Sequence, residues 1–217
     1  MAHDGTINIF VENLGRYNEG YIVGAWIPLP MQRDELWETI RRVCKVDALH
    51  EEVFIADVEY DFGMPNVRIG EYDSIDDVNA LAAAIENADS WDVVDGADAY
   101  AYEHNLNIIQ TASILHDNDG KNIPWYHYAI DSGSKEYRYG WTLMHEYDTE
   151  LSNVLREHNI TDYFDYEKYG SGPTNDTLFD NGYLMYTGDY PDDSMDAEEI
   201  LSDYWLWTDD EDEDEEE

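Results

Sequence analysis

Bases are scarce in this chain. Lys and Arg total 11 against 51 Asp and Glu, which leaves a net charge of −40 at neutral pH across 217 residues. Such a surface cannot bind DNA, RNA or an anionic membrane through general electrostatic attraction, because that attraction needs Lys and Arg. Its natural partners are cations and basic protein surfaces. Cysteine is nearly absent. Cys44 stands alone, which excludes an intrachain disulfide, and its helical pattern with Ile40 and Val43 reads as a small buried hydrophobe. No apolar run approaches the ~18 residues of a membrane span, and no basic-then-apolar leader pattern is present. A cytoplasmic location is expected.

Catalytic signatures are missing too. The chain holds no Walker sequence, no GxGxxG, no GxSxG and no HExxH, and no convergent constellation stands out by spacing. Zinc would need partners that seven scattered His and one Cys do not offer. Asp117-Asn118-Asp119-Gly120 resembles the start of a calcium loop, but its glycine comes too early and no Glu closes it. Neither catalysis, nor a cofactor, nor a specific metal site is expected. Carboxylates are so common that two of them close together signify only a solvated face.

Aromatic residues, by contrast, are plentiful. Eighteen Tyr and seven Trp argue against a disordered polyanion, which would be aromatic-poor, and for packed cores. Thr6–Gly15 alternates, with Ile7, Ile9 and Val11 on one face, and predicts a strand. Asn18-Glu19-Gly20 is a turn, Tyr21–Ile27 the return strand, and Pro28 and Pro30 end it. Asp34–Cys44 carries Leu36, Ile40 and Val43 at helical spacing with Trp37 beside them. Its acids lie first and its bases Arg41, Arg42 and Lys45 last, which suits the helix dipole. Val53–Tyr60 is a third strand. Ser74 opens a helix to Glu86. Ser90 starts a short one, and Asp98–His104 and Leu106–Leu115 are two more. Trp125–Ile130 and Gly182–Thr187 predict strands. Trp141–His158 predicts one long helix with Leu143, Tyr147, Leu151, Val154 and Leu155 on a stripe, and Ala197–Trp207 a last one. Residues 209–217 are nine consecutive acids, a run that predicts disorder.

The expected fold is therefore α+β. It comprises an antiparallel sheet with one helix over 1–72, a helical cluster over 73–118, a mixed unit over 119–207 and an acidic tail over 208–217, following one another in an elongated chain. Three functions fit the charge. The carboxylates could stand at fixed pitch like phosphates: duplex DNA carries one charge per about 1.7 Å of axis, so −40 matches roughly 20 bp. The chain could instead be an acidic module or chaperone for basic DNA-binding proteins, or a halophile-adapted protein.

Several stretches carry a resemblance. IFVENLGRYNEGYIVGAWIPLP followed by DELWETI, then FIADVEYDFG and IGEYDSIDDVNALA, then YFDYEKYG and LFDNGYLMYT, occur in the order that resembles the ArdA antirestriction proteins of plasmids, transposons and phages. Residues 117–140 look longer than the family pattern, Gly170 is followed by SGPTND, and 188–217 extends beyond it. The resemblance implies a DNA mimic that occupies the DNA-binding channel of Type I restriction-modification enzymes, as a curved homodimer joined through its C-terminal part. On this reading the phosphate-like acids are Asp57, Glu59, Asp61, Glu71, Asp73, Asp76, Asp77, Glu86, Asp89, Asp92, Asp95, Asp98 and Glu103. The dimer seam falls on Trp141, Tyr147, Leu151, Val154, Tyr163, Phe164 and Tyr166, a Tyr- and Leu-bearing stripe of the kind a two-fold contact needs.

Overall fold

Alternating apolar residues build the first strand. In a computed structural model, which describes residues 6–60, 64, 66–188 and 190–208, β1 runs Ile7–Asn13, and Ile7, Ile9 and Val11 are at most 1% exposed. A short helix, α1 (Leu14–Asn18), follows, capped by the Asn13 side chain. The strands β2 (Gly24–Leu29) and β3 (Val53–Tyr60) flank β1 on either side, both antiparallel to it. Pro28 does not end its strand, as its sequence suggests, but lies within β2 opposite Asn8. An edge strand tolerates a residue without an N–H because one of its sides has no ladder partner.

The helix α2 (Arg33–Val43) buries Leu36 and Ile40. Cys44 at its end is buried, with its Sγ 3.4 Å from the Val11 carbonyl oxygen. Burial, aided by the Glu12 carboxylate, pushes the thiol up to about 11, so the residue behaves as the expected hydrophobe.

The helix α3 (Ile75–Glu86) starts where Ser74 caps the Asp77 N–H and buries every residue from Val78 to Ile85. A helix apolar on all sides has to be enclosed. Four alanines, Ala80, Ala82, Ala83 and Ala84, keep its surface low enough for close neighbours. Those neighbours are α5 (Ile108–His116), α9 (Ala197–Asp203) and β2. Asn79 ties the helix to the chain beyond β2: its amide accepts from Met31 N at 2.8 Å and donates to Met31 O at 2.7 Å. The two separate helices expected between Ser90 and His104 are one, α4 (Trp91–His104), and Ser90 makes no side-chain cap bond. Gly96, Ala97, Ala99 and Ala101 are all buried, so small residues pressed onto the unit carry the helix through a stretch of weak periodicity.

Contacts group the described residues into two compact units, one reaching Asn122 and resuming at Pro191, the other spanning Ile123–Tyr190. By its position in the chain the last helix is expected in the C-terminal unit. Instead α9 returns to the first, because Ile200 and Leu201 find complete burial there. The approach to α9 is held by Ser113, whose hydroxyl donates to Asp192 O at 2.8 Å and accepts from Met195 N at 3.2 Å.

The second unit has a small antiparallel sheet in the order β4 (Trp125–Tyr126), β6 (Tyr183–Leu184), β5 (Thr177–Leu178). Its strands are two residues each, shorter than the runs 125–130 and 182–187 suggest. The long helix expected over 141–158 is broken in three: α6 (Lys135–Thr142), a π-helical turn over Leu143–Tyr147, and α7 (Thr149–Glu157). Asp148 starts the last piece by accepting from Leu151 N at 3.0 Å. A further helix, α8 (Tyr166–Gly170), crosses α6. Two aromatic clusters fill the unit. One is built on Tyr128, Tyr139 and Tyr183, the other on Met144, Leu155 and Tyr166. Burial pushes the Tyr128 and Tyr139 phenols up to about 12 and raises that of Tyr183 further, so these rings stay neutral core members. The fold is α+β, as expected. Among the described residues no helix is long and apolar enough to cross a membrane. The acidic run 209–217 lies outside the described residues.

Candidate acidic binding surface

The predicted acids divide into three kinds, and the division follows from what anchors each. Asp57 and Glu59 stand exposed on β3. Simple alternation from the buried Ile55 would aim both at the core. An irregularity in the β1–β3 pairing intervenes, so that Ile55 faces Val11 while Asp57 faces Phe10 and Glu59 faces Asn8. The extra residue, Ala56, moves both carboxylates to the face opposite Ile55, which is how a bulge re-aims side chains. Asp61 lies outside the described residues.

Glu71 and Asp73 are exposed in the turn before α3. That turn is pinned to β3 by a bond from Ile55 N to Glu71 O at 3.0 Å, and Asp73 accepts from Gly70 N at 2.6 Å. Asp76 is more enclosed. It accepts from Trp37 Nε1 at 2.8 Å and lies 3.5 Å from Arg33 Nε. Asp77 has its pKa raised chiefly by burial, with the charges of Asp76, Asp73 and Asp196 adding to it. Asp196 was not among the predicted residues. It arrives from the segment before α9, where it caps that helix by accepting from Glu199 N at 2.9 Å. Only the return of the chain brings it near Asp77. The capping pattern was legible in sequence, but its neighbours were not.

Glu86, Asp89, Asp92 and Glu103 are exposed and Asp95 is half-buried, at the end of α3 and along α4. Asp89 pairs with Lys121 Nζ at 2.9 Å. Asp98 is a correction to the sequence reading: it is 4% exposed and accepts from Asn66 N at 3.0 Å, Asn66 Nδ2 at 2.7 Å and Val67 N at 3.0 Å. Burial raises its pKa against the pull of those three bonds. Asp98 clips the chain around residue 66 onto α4 and takes no part in the surface.

The calcium-like stretch is likewise taken up internally. Asp117 accepts from Asn122 Nδ2 at 2.7 Å and Asp192 N at 3.0 Å, and Asp119 pairs with Lys121 at 3.0 Å. Among the described residues no group of His, Cys, Asp and Glu is arranged to hold a metal.

The residues of the expected seam also divide. Tyr166 is buried, and Trp141, Leu151 and Phe164 pack against its cluster. All four support their own unit, Tyr166 from within the cluster and the other three half-buried against it. Tyr147, Val154 and Tyr163 remain exposed, at 52, 44 and 87%.

A charge network at the other end of the sheet carries a pH dependence. His50, its side chain 11% exposed, lies 2.9 Å from Asp47 Oδ1 and 3.2 Å from Glu19 Oε1, and Arg16 pairs with Asp47 at 2.8 Å. The Asp47 and Glu19 carboxylates raise the His50 pKa, and the His50 ring is the main cause that lowers Asp47 to about 2. A histidine whose folded pKa is raised adds stability that is complete below its unfolded value of about 6.5 and is lost as pH rises through the folded value. Asp47 adds stability above its unfolded value, lost as pH falls towards about 2. The melting temperature of the native chain is expected to fall as pH rises from 6 through the raised His50 value. His50→Gln should flatten that slope, and equal slopes in the two proteins would refute the assignment.

No curated protein matches the chain. A family model described as antirestriction protein (ArdA) matches residues 9–185, which runs from within β1 to just beyond β6 and so covers the exposed acids predicted from the sequence, while Asp196 lies past its end. The chain belongs to the ArdA family of antirestriction proteins.

Proposed function

We propose that this chain blocks Type I restriction-modification enzymes by occupying their DNA-binding channel, with carboxylates standing where phosphates would stand. One observation carries the reading. Asp57, Glu59, Glu71, Asp73, Glu86, Asp89, Asp92 and Glu103 are all exposed, and all stand on, or directly beside, hydrogen-bonded elements of one compact unit. A floppy polyanion has to lose conformational entropy on binding, whereas acids on a strand and two helices have lost it already. The basic channel of a DNA enzyme is the complement of such a surface. No bond is made or broken, and inhibition is competitive with DNA. The effect is spread out: exposed ion pairs are worth about 0–1 kcal/mol each, so single neutralisations weaken binding slightly. A homodimer seam on Tyr147, Val154 and Tyr163 completes the proposal.

The test is to add the purified chain to a Type I enzyme and measure DNA cleavage and DNA binding, with charge-matched polyglutamate as control. Cleavage should fall, DNA should be displaced, and the complex should weaken steeply with added salt, as protein–DNA complexes do. Equal inhibition by the polymer, or a complex indifferent to salt, would remove phosphate mimicry. Sedimentation at inhibitory concentrations reads the seam: a monomer there would remove the dimer from the proposal.

A further inference from the structure

The charges of α3 run against its dipole at one end. α2 opens on Asp34 and Glu35 and carries Arg41 and Arg42 in its last turn. α3 opens on Asp76 and Asp77 but closes on Glu86, with no base in its last turn. A carboxylate there opposes the partial negative charge of the helix end. α9 also ends on an acid, Asp203, but His116 Nε2 lies 3.2 Å from it. Among the described residues Glu86 forms no ion pair. Such a break with a local rule, uncompensated within the chain, points to a functional position.

The turn from α3 to α4 surrounds a cavity of about 410 Å³. Glu86, Asp89 and Trp91 line it, together with Ile85 and Val94, which are 4 and 1% exposed. Trp91 is 63% exposed, so its ring is reachable from solvent. Asp89 already pairs with Lys121 Nζ at 2.9 Å, which leaves Glu86 as the carboxylate with charge to offer. The N-terminus of α4 would favour an anion, but Asp92 in its first turn answers it. Pockets that hold small ligands begin at about 300 Å³, so the space admits a long side chain.

We propose that this cavity seats one arginine side chain of the protein partner. The guanidinium stacks on the Trp91 ring and donates to the Glu86 carboxylate, while its methylenes lie on Ile85 and Val94. Lysine fits less well, because its ammonium is a strongly hydrated point charge and does not stack as a plane. Exposed acids outside a cavity offer charge alone. A seat with an aromatic wall, an apolar lining and one unanswered carboxylate offers desolvation as well, and so forms the centre of the contact. The identity of the partner rests on the function proposed above; the seat does not.

The test titrates the full chain with N-acetyl-arginine amide and follows backbone amide and indole resonances. Shifts are expected at residues 85–94 and at the Trp91 indole, and they should be lost in E86Q and in W91A. N-acetyl-citrulline amide, close in shape but without the charge, should produce none. Shifts of equal size around Glu71, Asp73 and Glu103, or equal shifts with citrulline, would overturn the proposal. The second measurement is inhibition of a Type I enzyme. E86Q and W91A should each weaken it about 30-fold, the scale of an interface hot spot, against about fivefold at most for E71Q and E103Q. Equal losses in all four would overturn the seat as the centre of the contact. E86Q alters only an exposed side chain, and an unchanged melting temperature separates its effect from folding. A native chain that inhibits no Type I enzyme would remove the proposed function, while the titration still decides the seat.

Discussion

Replacing Ile200 and Leu201 together by alanine should destabilise the first unit by several kcal/mol and abolish inhibition, although the net charge stays at −40. Both side chains are completely buried where α9 meets α3. Removing a buried leucine or isoleucine costs about 2–5 kcal/mol, transfer and cavity together. A domain has only about 5–15 kcal/mol to lose. The consequence is local first: α3 is apolar on all sides and loses one of its covers, and the capping segment that brings Asp196 near Asp77 loses its seat. The pair of substitutions removes no carboxylate, so it separates charge from scaffold. Chemical denaturation reads the stability and the cleavage assay reads the function. A variant that is destabilised yet inhibits like the native chain, under conditions where its first unit has melted, would show that the acids need no fixed spacing. The same prediction bears on the family boundary. The family match ends at residue 185, yet the unit that carries the exposed acids is completed by residues from Pro191 onward. A chain cut after Tyr190 should behave as the double variant does, with exposed apolar surface and a lowered denaturation midpoint.

Gly140→Ala and Gly170→Ala set two effects of opposite sign against each other. Both glycines lie in helices, where alanine is favoured by about 1 kcal/mol. Packing opposes this. A Cβ on Gly140 would collide with the Tyr166 carbonyl oxygen, and one on Gly170 with that of Glu136. Each glycine faces the carbonyl one turn before the other glycine, so α6 and α8 meet backbone to backbone. Overpacking costs about 1–3 kcal/mol where side chains can give way. Here the obstacle is main chain, and relief requires the helices to part and the Tyr166 cluster to open. The expected outcome for each single variant is a net loss of roughly 2 kcal/mol or more, and for the pair a second unit that does not fold. Near-ultraviolet circular dichroism reports it, since the unit is rich in packed Tyr and Trp. Gly70→Ala is the control, because its added methyl meets only the Asp73 carboxylate at 3.4 Å. A gain in melting temperature for either helical variant would refute the close crossing.

Local order was legible from residue types. Val53–Tyr60 is a strand with the bounds its composition suggests, and α2, α3 and α5 fall within a residue or two of their apolar spacing and caps. Such elements are decided by neighbours three or four residues away or by strict alternation, which one chain displays in its own order. The breaks were less legible. The helix expected over 141–158 is interrupted because the turn over Leu143–Tyr147 and the cap at Asp148 answer to the aromatic cluster around Met144 and Tyr166, not to helical periodicity.

By itself, the order of residues determined the sign of the surface, the class of fold, the family and most of the exposed acids, because charge and short-range patterning need no knowledge of what lies across space. Tertiary structure alone decided which acids serve the surface. It drew Asp98 inward to hold the chain at Asn66 and Val67, swung Asp57 and Glu59 away from the face of Ile55 at a single bulge, and brought Asp196 back from more than a hundred residues away. Those choices rest on burial and strand register, which depend on contacts between distant segments and exist only once the chain has closed on itself.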